Sequence, residues 1–302
     1  MIHMDAAMIL CAGLGTRLAP LTDEIAKPMV PIGDRPAILH VAERVRLASP
    51  ARIVINVHHH PEDLAALARR EGFAISPESE LLGTAGGLSR AAPMLGEGDV
   101  LVWNGDILSD LDPRELVRAH RAVEARATLA VRPRKAGEGN VGVGEDGRIV
   151  RLRDARFGEE VRGGEFLGIH ILGRKLRSAL VDKGCLVGDV YIPALARGER
   201  LAAHEVSIGY RDIGSVAAYL AANLAWLASR SLRSWHAKDA VVTAPIDDSV
   251  VGAGACVEAP LRRSVVWPGA LVPPGKSLED VVVTRRGTTP ARPATALPAW
   301  HH

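Results

Sequence analysis

Cys11-Ala12-Gly13-Leu14-Gly15-Thr16-Arg17-Leu18-Ala19-Pro20-Leu21-Thr22, continued by Ala26-Lys27-Pro28-Met29-Val30-Pro31-Ile32, decides how the rest of the chain is read. An apolar run, Ala6 to Ala12, leads into it and is short enough to be one buried strand. After it, Arg35 to Val45 carries apolar residues at helical spacing. A strand therefore hands over to a loop holding two glycines, an arginine and a lysine, and the loop hands over to a helix. Glycines let backbone N–H groups come close to an anion, and the guanidinium and ammonium add positive charge. That chemistry suits a polyphosphate.

Two familiar phosphate loops do not account for it. The dinucleotide fingerprint needs a third glycine where Leu18 stands, and the Walker loop needs a Gly-Lys-Ser/Thr triplet that does not follow. Two glycines alone would make an ordinary turn after a first strand. Gly13, Gly15, Arg17 and Lys27-Pro28 together point past that reading.

Gly-Leu-Gly-Thr-Arg-Leu-x-Pro-Leu-Thr followed by Lys-Pro-Met-Val-Pro-Ile resembles the signature of the sugar-1-phosphate nucleotidyltransferases, the nucleoside-diphosphate-sugar pyrophosphorylases. Ala26 stands where that family usually has proline before the lysine. The resemblance implies catalytic roles for Arg17 and Lys27 and nucleotide contacts from Ala12, Gly13, Leu14, Gly15 and Thr16.

With 302 residues the chain can bury a large core, as one big α/β domain or as one domain with a small appendage. A net charge of +2 argues against a dedicated nucleic-acid binder. Cys11, Cys185 and Cys256 have neither metal spacing nor a paired framework, so buried thiols in a reducing cytoplasm are expected. The early charge of Asp5 and the short apolar runs predict no signal peptide and no membrane span. Trp300-His301-His302 is too short to read as a metal site.

From residue 50 onward the pattern alternates. Arg52 to Val57, Asp99 to Asp106 and Ala127 to Val131 read as strands, and Pro61 to Gly72 and Pro113 to Ala125 as helices. This rhythm predicts a Rossmann-like α/β fold, a mostly parallel sheet with helices on both faces and ligands at the carboxyl ends of its strands. Asp106, following a buried strand, is placed where a Mg²⁺ ligand belongs, although a turn-capping carboxylate is the simpler alternative. His58-His59-His60 cannot converge on one ion in an extended segment and reads as a polar loop.

The resemblance extends through Leu82-Gly83-Thr84-Ala85-Gly86-Gly87, which implies nucleotide contacts at Gly83, Thr84 and Gly86, and through Asn104-Gly105-Asp106, with Asn104 on the nucleotide and Asp106 on the metal. Asn140 to Gly144 and Gly147 to Leu152 read as a hairpin around Glu145-Asp146-Gly147, with a further strand from Glu165 to Leu172. By resemblance they form the sugar-phosphate side, with Gly142 and Glu165 near the sugar. The family's Glu-Lys-Pro is replaced by Asp154-Ala155-Arg156, leaving Arg153 or Arg156 to stand in for the missing lysine. Tyr210-Arg211-Asp212-Ile213-Gly214 resembles the segment holding the second metal ligand, Asp212, and precedes a helix from Val216 to Leu227. Arg174 to Lys183 and Val190 to Arg197 also look helical.

Ser249 to Val257 is echoed by Ser264 to Val272 and more weakly from Val281, the mark of a short parallel β-helix, left-handed by resemblance. Its ends need covering by the catalytic domain or another subunit, which leaves homo-oligomerisation open. The expected organisation is a catalytic domain over 1–228, a linker over 229–238, a β-helix over 239–284 and a disordered tail over 285–302. The reaction implied is attack of a sugar 1-phosphate on a nucleoside triphosphate, most similar to bacterial mannose-1-phosphate guanylyltransferase-like proteins. Uridylyl or thymidylyl transfer, or a catalytically silent nucleotide-sugar sensor or assembly subunit, are the alternatives.

Overall fold

Unbroken apolar runs without a helical period are stable as strands where both faces are covered. In the computed structural model, which describes residues 4–291, three such runs are the centre of a ten-stranded mixed sheet. Its strands are β1 (Ala6–Leu10), β2 (Ile53–Val57), β3 (Ala74–Pro77), β4 (Val100–Asn104), β5 (Ala127–Arg134), β6 (Val141–Val143), β7 (Ile149–Leu152), β8 (Ala155–Arg156), β9 (Arg162–Leu172) and β10 (Leu201–Glu205). The order is β8-β7-β6-β9-β4-β1-β2-β3, with β5 paired to β9 and β10 to β5. β1 runs parallel to β2 and β4, whereas β9 runs antiparallel to β4, β5 and β6. Helices α1 (Ala37–Arg46), α2 (Pro61–Glu71), α3 (Gly83–Ala91), α4 (Pro113–Val123) and α5 (Ile192–Ala196) accompany it. On one face Met8, Val54 and Val102 share a fully buried core with Ala85 and Leu88 of α3.

The chain divides into two compact units, one of residues up to Leu14 with Ile38–Tyr210, the other of Gly15–Ala37 with the chain from Arg211 onward. The first holds the sheet. Two of its segments differ from the expected plain helices. Arg174–Ala179 is a 3₁₀ helix, and Leu186–Tyr191 is a π-helical turn leading into α5. That turn starts where the Asp189 carboxylate accepts from the Cys185 N–H at 2.6 Å.

His170 of β9 is 3 % exposed, and neither ring nitrogen has a hydrogen-bond partner among the described residues. Its ring lies between Phe166 and Tyr191, at centroid distances of 5.5 and 5.7 Å. Burial drives its pKa from the ordinary 6.5 down to about 3. The folded state thus keeps His170 neutral while the unfolded chain takes up a proton below about pH 6.5. Stability should fall as pH drops from about 6.5 toward 3, by at most about 1.4 kcal/mol per pH unit from this group. His170→Phe is expected to flatten that limb in denaturant titrations at stepped pH, and an unchanged slope would show the ring is already protonated when folded.

The second unit joins the loop Gly15–Ala37, helix α6 (Val216–Ala228) and a solenoid. Two-residue strands recur with matching register, Trp235↔Val250↔Val265 on one face, Val241↔Cys256↔Leu271 on a second and Ile246↔Leu261↔Leu278 on the third. Val251, Val257, Leu261, Val266 and Val272 fill its interior. At one corner each serine hydroxyl accepts from the backbone of the next coil, Ser249 N to Ser234, Ser264 N to Ser249 and Val281 N to Ser264.

This solenoid is wider than the expected 239–284. It starts at Trp235–His236 inside the expected linker. Its last coil strand, Val281–Thr284, pairs antiparallel with Gly287–Pro290, inside the expected disordered tail. That hairpin satisfies backbone groups an open last coil would expose, so the chain caps one end itself. The rest of the expected tail, 292–302, including Trp300 to His302, lies outside the described residues. No helix among those described is long and apolar enough to cross a membrane.

Candidate active site

In the second unit the opening loop is shaped by three 3₁₀ turns, Thr16–Leu18, Leu21–Asp23 and Lys27–Met29. Gly15 sits at φ +66°, and a Cβ there would lie 2.7 Å from Thr22 Cγ2 and 3.1 Å from Lys27 Cβ. Only glycine supplies that turn and that approach without strain. The Thr22 hydroxyl donates to Gly15 O at 3.0 Å and fixes the fold-back. Lys27 is thereby carried to the side of the loop that holds Arg17. The two cations face one carboxylate, Arg17 Nη2 and Lys27 Nζ each lying 3.6 Å from an oxygen of Asp212. Arg17 is 59 % exposed at its side chain and Lys27 10 %, so one reaches into solvent while the other is built in.

Gly214 makes room for this triad, because a Cβ there would stand 3.0 Å from both Asp212 carboxylate oxygens and 3.1 Å from Arg17 Nη2. Ser215 then caps α6, its hydroxyl accepting from Ala218 N at 3.2 Å. The loop's far end is held by α6. Tyr219 donates to Pro31 O at 2.7 Å, Asn223 accepts from Gly33 N at 2.9 Å, and the Trp226 ring fills the space beside Gly33. Behind them Trp267 of the solenoid donates to the Tyr219 oxygen at 2.9 Å, Thr284 bonds Glu24, and Arg286 donates to Asp23 O at 3.0 Å. The solenoid is therefore the back wall of the basic loop.

In the first unit Ala12 is buried, while Gly13 and Leu14 are exposed at the carboxyl end of β1. A Cβ at Gly13 would meet nothing within 4 Å, which leaves its backbone open to an anion. The segment hangs from a buried polar chain that no motif announces. Cys11 N donates to Asn56 Oδ1 at 2.7 Å, Asn56 Nδ2 to Glu78 Oε1 at 2.7 Å, and Leu82 N to Glu78 Oε2 at 3.2 Å. Asn56 and Glu78 are 3 and 6 % exposed. This chain ties the first loop to the glycine-rich start of α3.

That glycine-rich start also packs on the protein. A Cβ at Gly83 would stand 2.3 Å from Gly184 O and one at Gly86 2.5 Å from Asp182 O, while Thr84 Oγ1 accepts from Leu186 N at 2.8 Å. Asn104 ends β4 with its amide against Gly168. Asp106 follows in a turn closed by Gly105 N to Leu10 O at 2.9 Å and by Trp103 Nε1 to Ile107 O at 2.9 Å. Burial first and the Asp106 charge second push the Cys11 thiol up and keep it protonated.

The three sugar-side residues occupy different surroundings. Gly142 is pressed against the buried Arg151–Glu160 pair, where a Cβ would lie 2.0 Å from Glu160 Oε2. Arg153 donates to Cys185 Sγ at 3.1 Å. Burial opposes ionisation of that half-buried thiol, but the Gly188 amide and the Arg153 guanidinium outweigh it and hold the thiol below its ordinary value. Glu165 receives Arg132 and Arg134, each at 2.9 Å. No three metal-ligating side chains cluster among the described residues. Asp106 in the first unit and Asp212 in the second each offer a hard, anionic oxygen donor of the kind Mg²⁺ takes, and the cations beside Asp212 suit a phosphate-rich neighbourhood.

Lys27→Ala is expected to lower kcat on the order of a hundredfold by removing a preorganised charge, whereas Arg153→Ala lowers it by no more than about threefold. Equal losses in steady-state assays would give Arg153 a role on the reacting phosphates.

Residues 6–154 match the nucleotidyl transferase family. Mannose-1-phosphate guanyltransferase of Aspergillus oryzae is 29 % identical over 240 residues, 76 % of this chain and 66 % of the relative. That of Aspergillus fumigatus is 30 % identical with the same coverage, and that of Schizosaccharomyces pombe 29 % identical over 82 % of this chain and 69 % of its own length. The chain thus spans 66 % of the length of either Aspergillus protein. HddC from Yersinia pseudotuberculosis shares the fold at a TM-score of 0.62 and 22 % identity, over 74 % of this chain and all of that one, and has also been solved with GMP-PN.

Proposed function

The chain belongs to the sugar-1-phosphate nucleotidyltransferase family, and from that premise we propose that it joins GTP to mannose 1-phosphate, giving GDP-mannose and pyrophosphate. The observation that carries this reading is the convergence of Arg17 and Lys27 on Asp212, on a loop that glycine and buried hydrogen bonds hold in one shape. A phosphate oxygen of the sugar 1-phosphate attacks the α-phosphorus. The bond from that phosphorus to the bridging oxygen breaks, and its electron pair leaves with pyrophosphate. Such transfer rests on positioning and charge neutralisation more than on covalent help from the protein.

Arg17, exposed on the loop, engages the departing phosphates, and Lys27, fixed deeper, offsets charge as it builds on them. The open backbone at Gly13 receives the triphosphate, with Leu14, Gly15 and Thr16 continuing the cradle. We assign Asp106 and Asp212 to Mg²⁺, which when bound neutralises phosphate charge. A cytosolic setting, where nucleoside triphosphates and reduced thiols coexist, belongs to the same proposal.

The test is pyrophosphate release by the purified chain across GTP, UTP and dTTP, each with mannose 1-phosphate and glucose 1-phosphate. The pair GTP and mannose 1-phosphate should give the highest kcat/KM. Faster turnover with UTP or dTTP would move the base assignment, and no turnover with any pair, despite nucleotide binding, would leave a silent sensor.

A further inference from the structure

Resting on the reading above, we propose that Arg132 and Arg134 are the receptor for the phosphate of the sugar 1-phosphate, taking the place of the lysine that this chain lacks after Asp154. Both arginines lie at the carboxyl end of β5, two residues apart and so on one face of the strand. β5 runs antiparallel to β9, and β9 antiparallel to β4, so this end lies on the edge of the sheet where Asn104 leads into Asp106. Glu165, the cross-strand partner of Arg132, receives both guanidinium groups on the same oxygen, each at 2.9 Å.

Two cations on one carboxylate leave one positive charge in excess. Stability alone does not call for that arrangement. The side chains are 37 and 39 % exposed, and ion pairs so open to water add little to stability. Arg132 is nevertheless held in place. Its guanidinium carbon lies 5.2 Å from the centre of the Tyr210 ring, and its Nε is buried with no hydrogen-bond partner among the described residues. A stacked planar fork with donor capacity to spare matches the oxygens of a phosphate, which accept two parallel N–H bonds from such a group.

The other candidates are differently engaged. Arg153 donates to Cys185 Sγ, and Arg156 lies 3.8 Å from Glu160 with its side chain 62 % exposed. Glu165 then acts as a positioning residue that holds the two forks side by side before substrate arrives.

Steady-state kinetics with GTP and mannose 1-phosphate, or whichever pair the panel shows to be turned over best, separates the roles. Arg132→Ala and Arg134→Ala should each raise KM for the sugar 1-phosphate by about tenfold or more, the loss expected for one charge-assisted contact. KM for the triphosphate should stay within about twofold, and Arg132→Lys should recover part of the loss because it restores charge without the fork. Circular dichroism checks folding of each variant. Glu165→Gln should raise the sugar-phosphate KM less than either alanine variant does.

Calorimetric titration with mannose 1-phosphate alone and with free mannose is the second arm. The wild type should bind the phosphate ester and not the free sugar, and Arg132→Ala should weaken the ester at least tenfold. If the wild type turns over no pair yet shows this arginine-dependent binding, the enzymatic reading fails and the phosphate receptor stands. An equal rise in both KM values, or a sugar-phosphate defect in Arg153→Ala with none in Arg132→Ala, overturns the assignment.

Discussion

Asp106→Ala is expected to lower kcat on the order of a thousandfold, the scale at which one preorganised electrostatic contact to a transferring phosphoryl group is lost, while leaving the fold in place. The turn around it is held by groups besides its carboxylate. Gly105 N bonded to Leu10 O and Trp103 Nε1 bonded to Ile107 O close that turn through other groups. The side chain is half-buried at the carboxyl end of β4, so alanine there opens no core cavity. Asp106→Asn separates charge from shape and should be nearly as slow, because a neutral amide oxygen is a poor partner for a hard divalent cation. The measurements are kcat in the pyrophosphate-release assay and the thermal melt of each variant. Activity near that of the wild type, with an unchanged melt, would remove Asp106 from the reaction.

How much of this site was legible in the sequence depended on whether a residue's role is local. Gly15, Arg17 and Lys27 could be read because a tight loop with fixed cations announces itself by residue type over a short span. The solenoid could be read because Ser249 to Val257 and Ser264 to Val272 repeat, and the repeat is the structure. Asn56 and Glu78 could not, since an asparagine at the end of one strand and a glutamate before a loop acquire meaning only when folding joins them to Cys11 and Leu82. The same holds for Tyr219 and Asn223, whose spacing on α6 reads as ordinary helix until Pro31 and Gly33 arrive from nearly two hundred residues earlier.

The capping hairpin was missed for a different reason. Arg285 to Pro290 is rich in Gly, Thr, Pro and Arg, a composition typical of coil, and its order comes from antiparallel pairing with Val281–Thr284. Gly83 and Gly86 were expected to border a nucleotide. What approaches them includes the carbonyls of Gly184 and Asp182, and no pattern in the sequence points to that segment.

Arg151→Ala should destabilise the first unit by about 3–5 kcal/mol, the cost of leaving a buried charge without its partner. Arg151 and Glu160 are 6 and 7 % exposed at their side chains and meet at 2.6 Å. The guanidinium also donates to Gly139 O at 2.9 Å and to Glu138 O and Val141 O at 3.2 Å, and Glu160 accepts from Gly137 N. One arginine therefore gathers the loop before β6 as well as neutralising Glu160. Its hydrogen bond is the main reason the Glu160 carboxyl is held below its ordinary value. A carboxyl depressed in this way adds stability above its unfolded pKa of about 4.5, and that share is lost as pH falls through the folded value. The variant should therefore melt roughly 6–15 °C lower near neutral pH and lose part of the wild type's dependence on acid. Removing both charges, as Arg151→Met with Glu160→Leu, should cost less than Arg151→Ala alone, because no ion is left stranded. A double variant less stable than Arg151→Ala would mean that the carbonyl bonds of Arg151, and not its pairing with Glu160, hold this part of the sheet together.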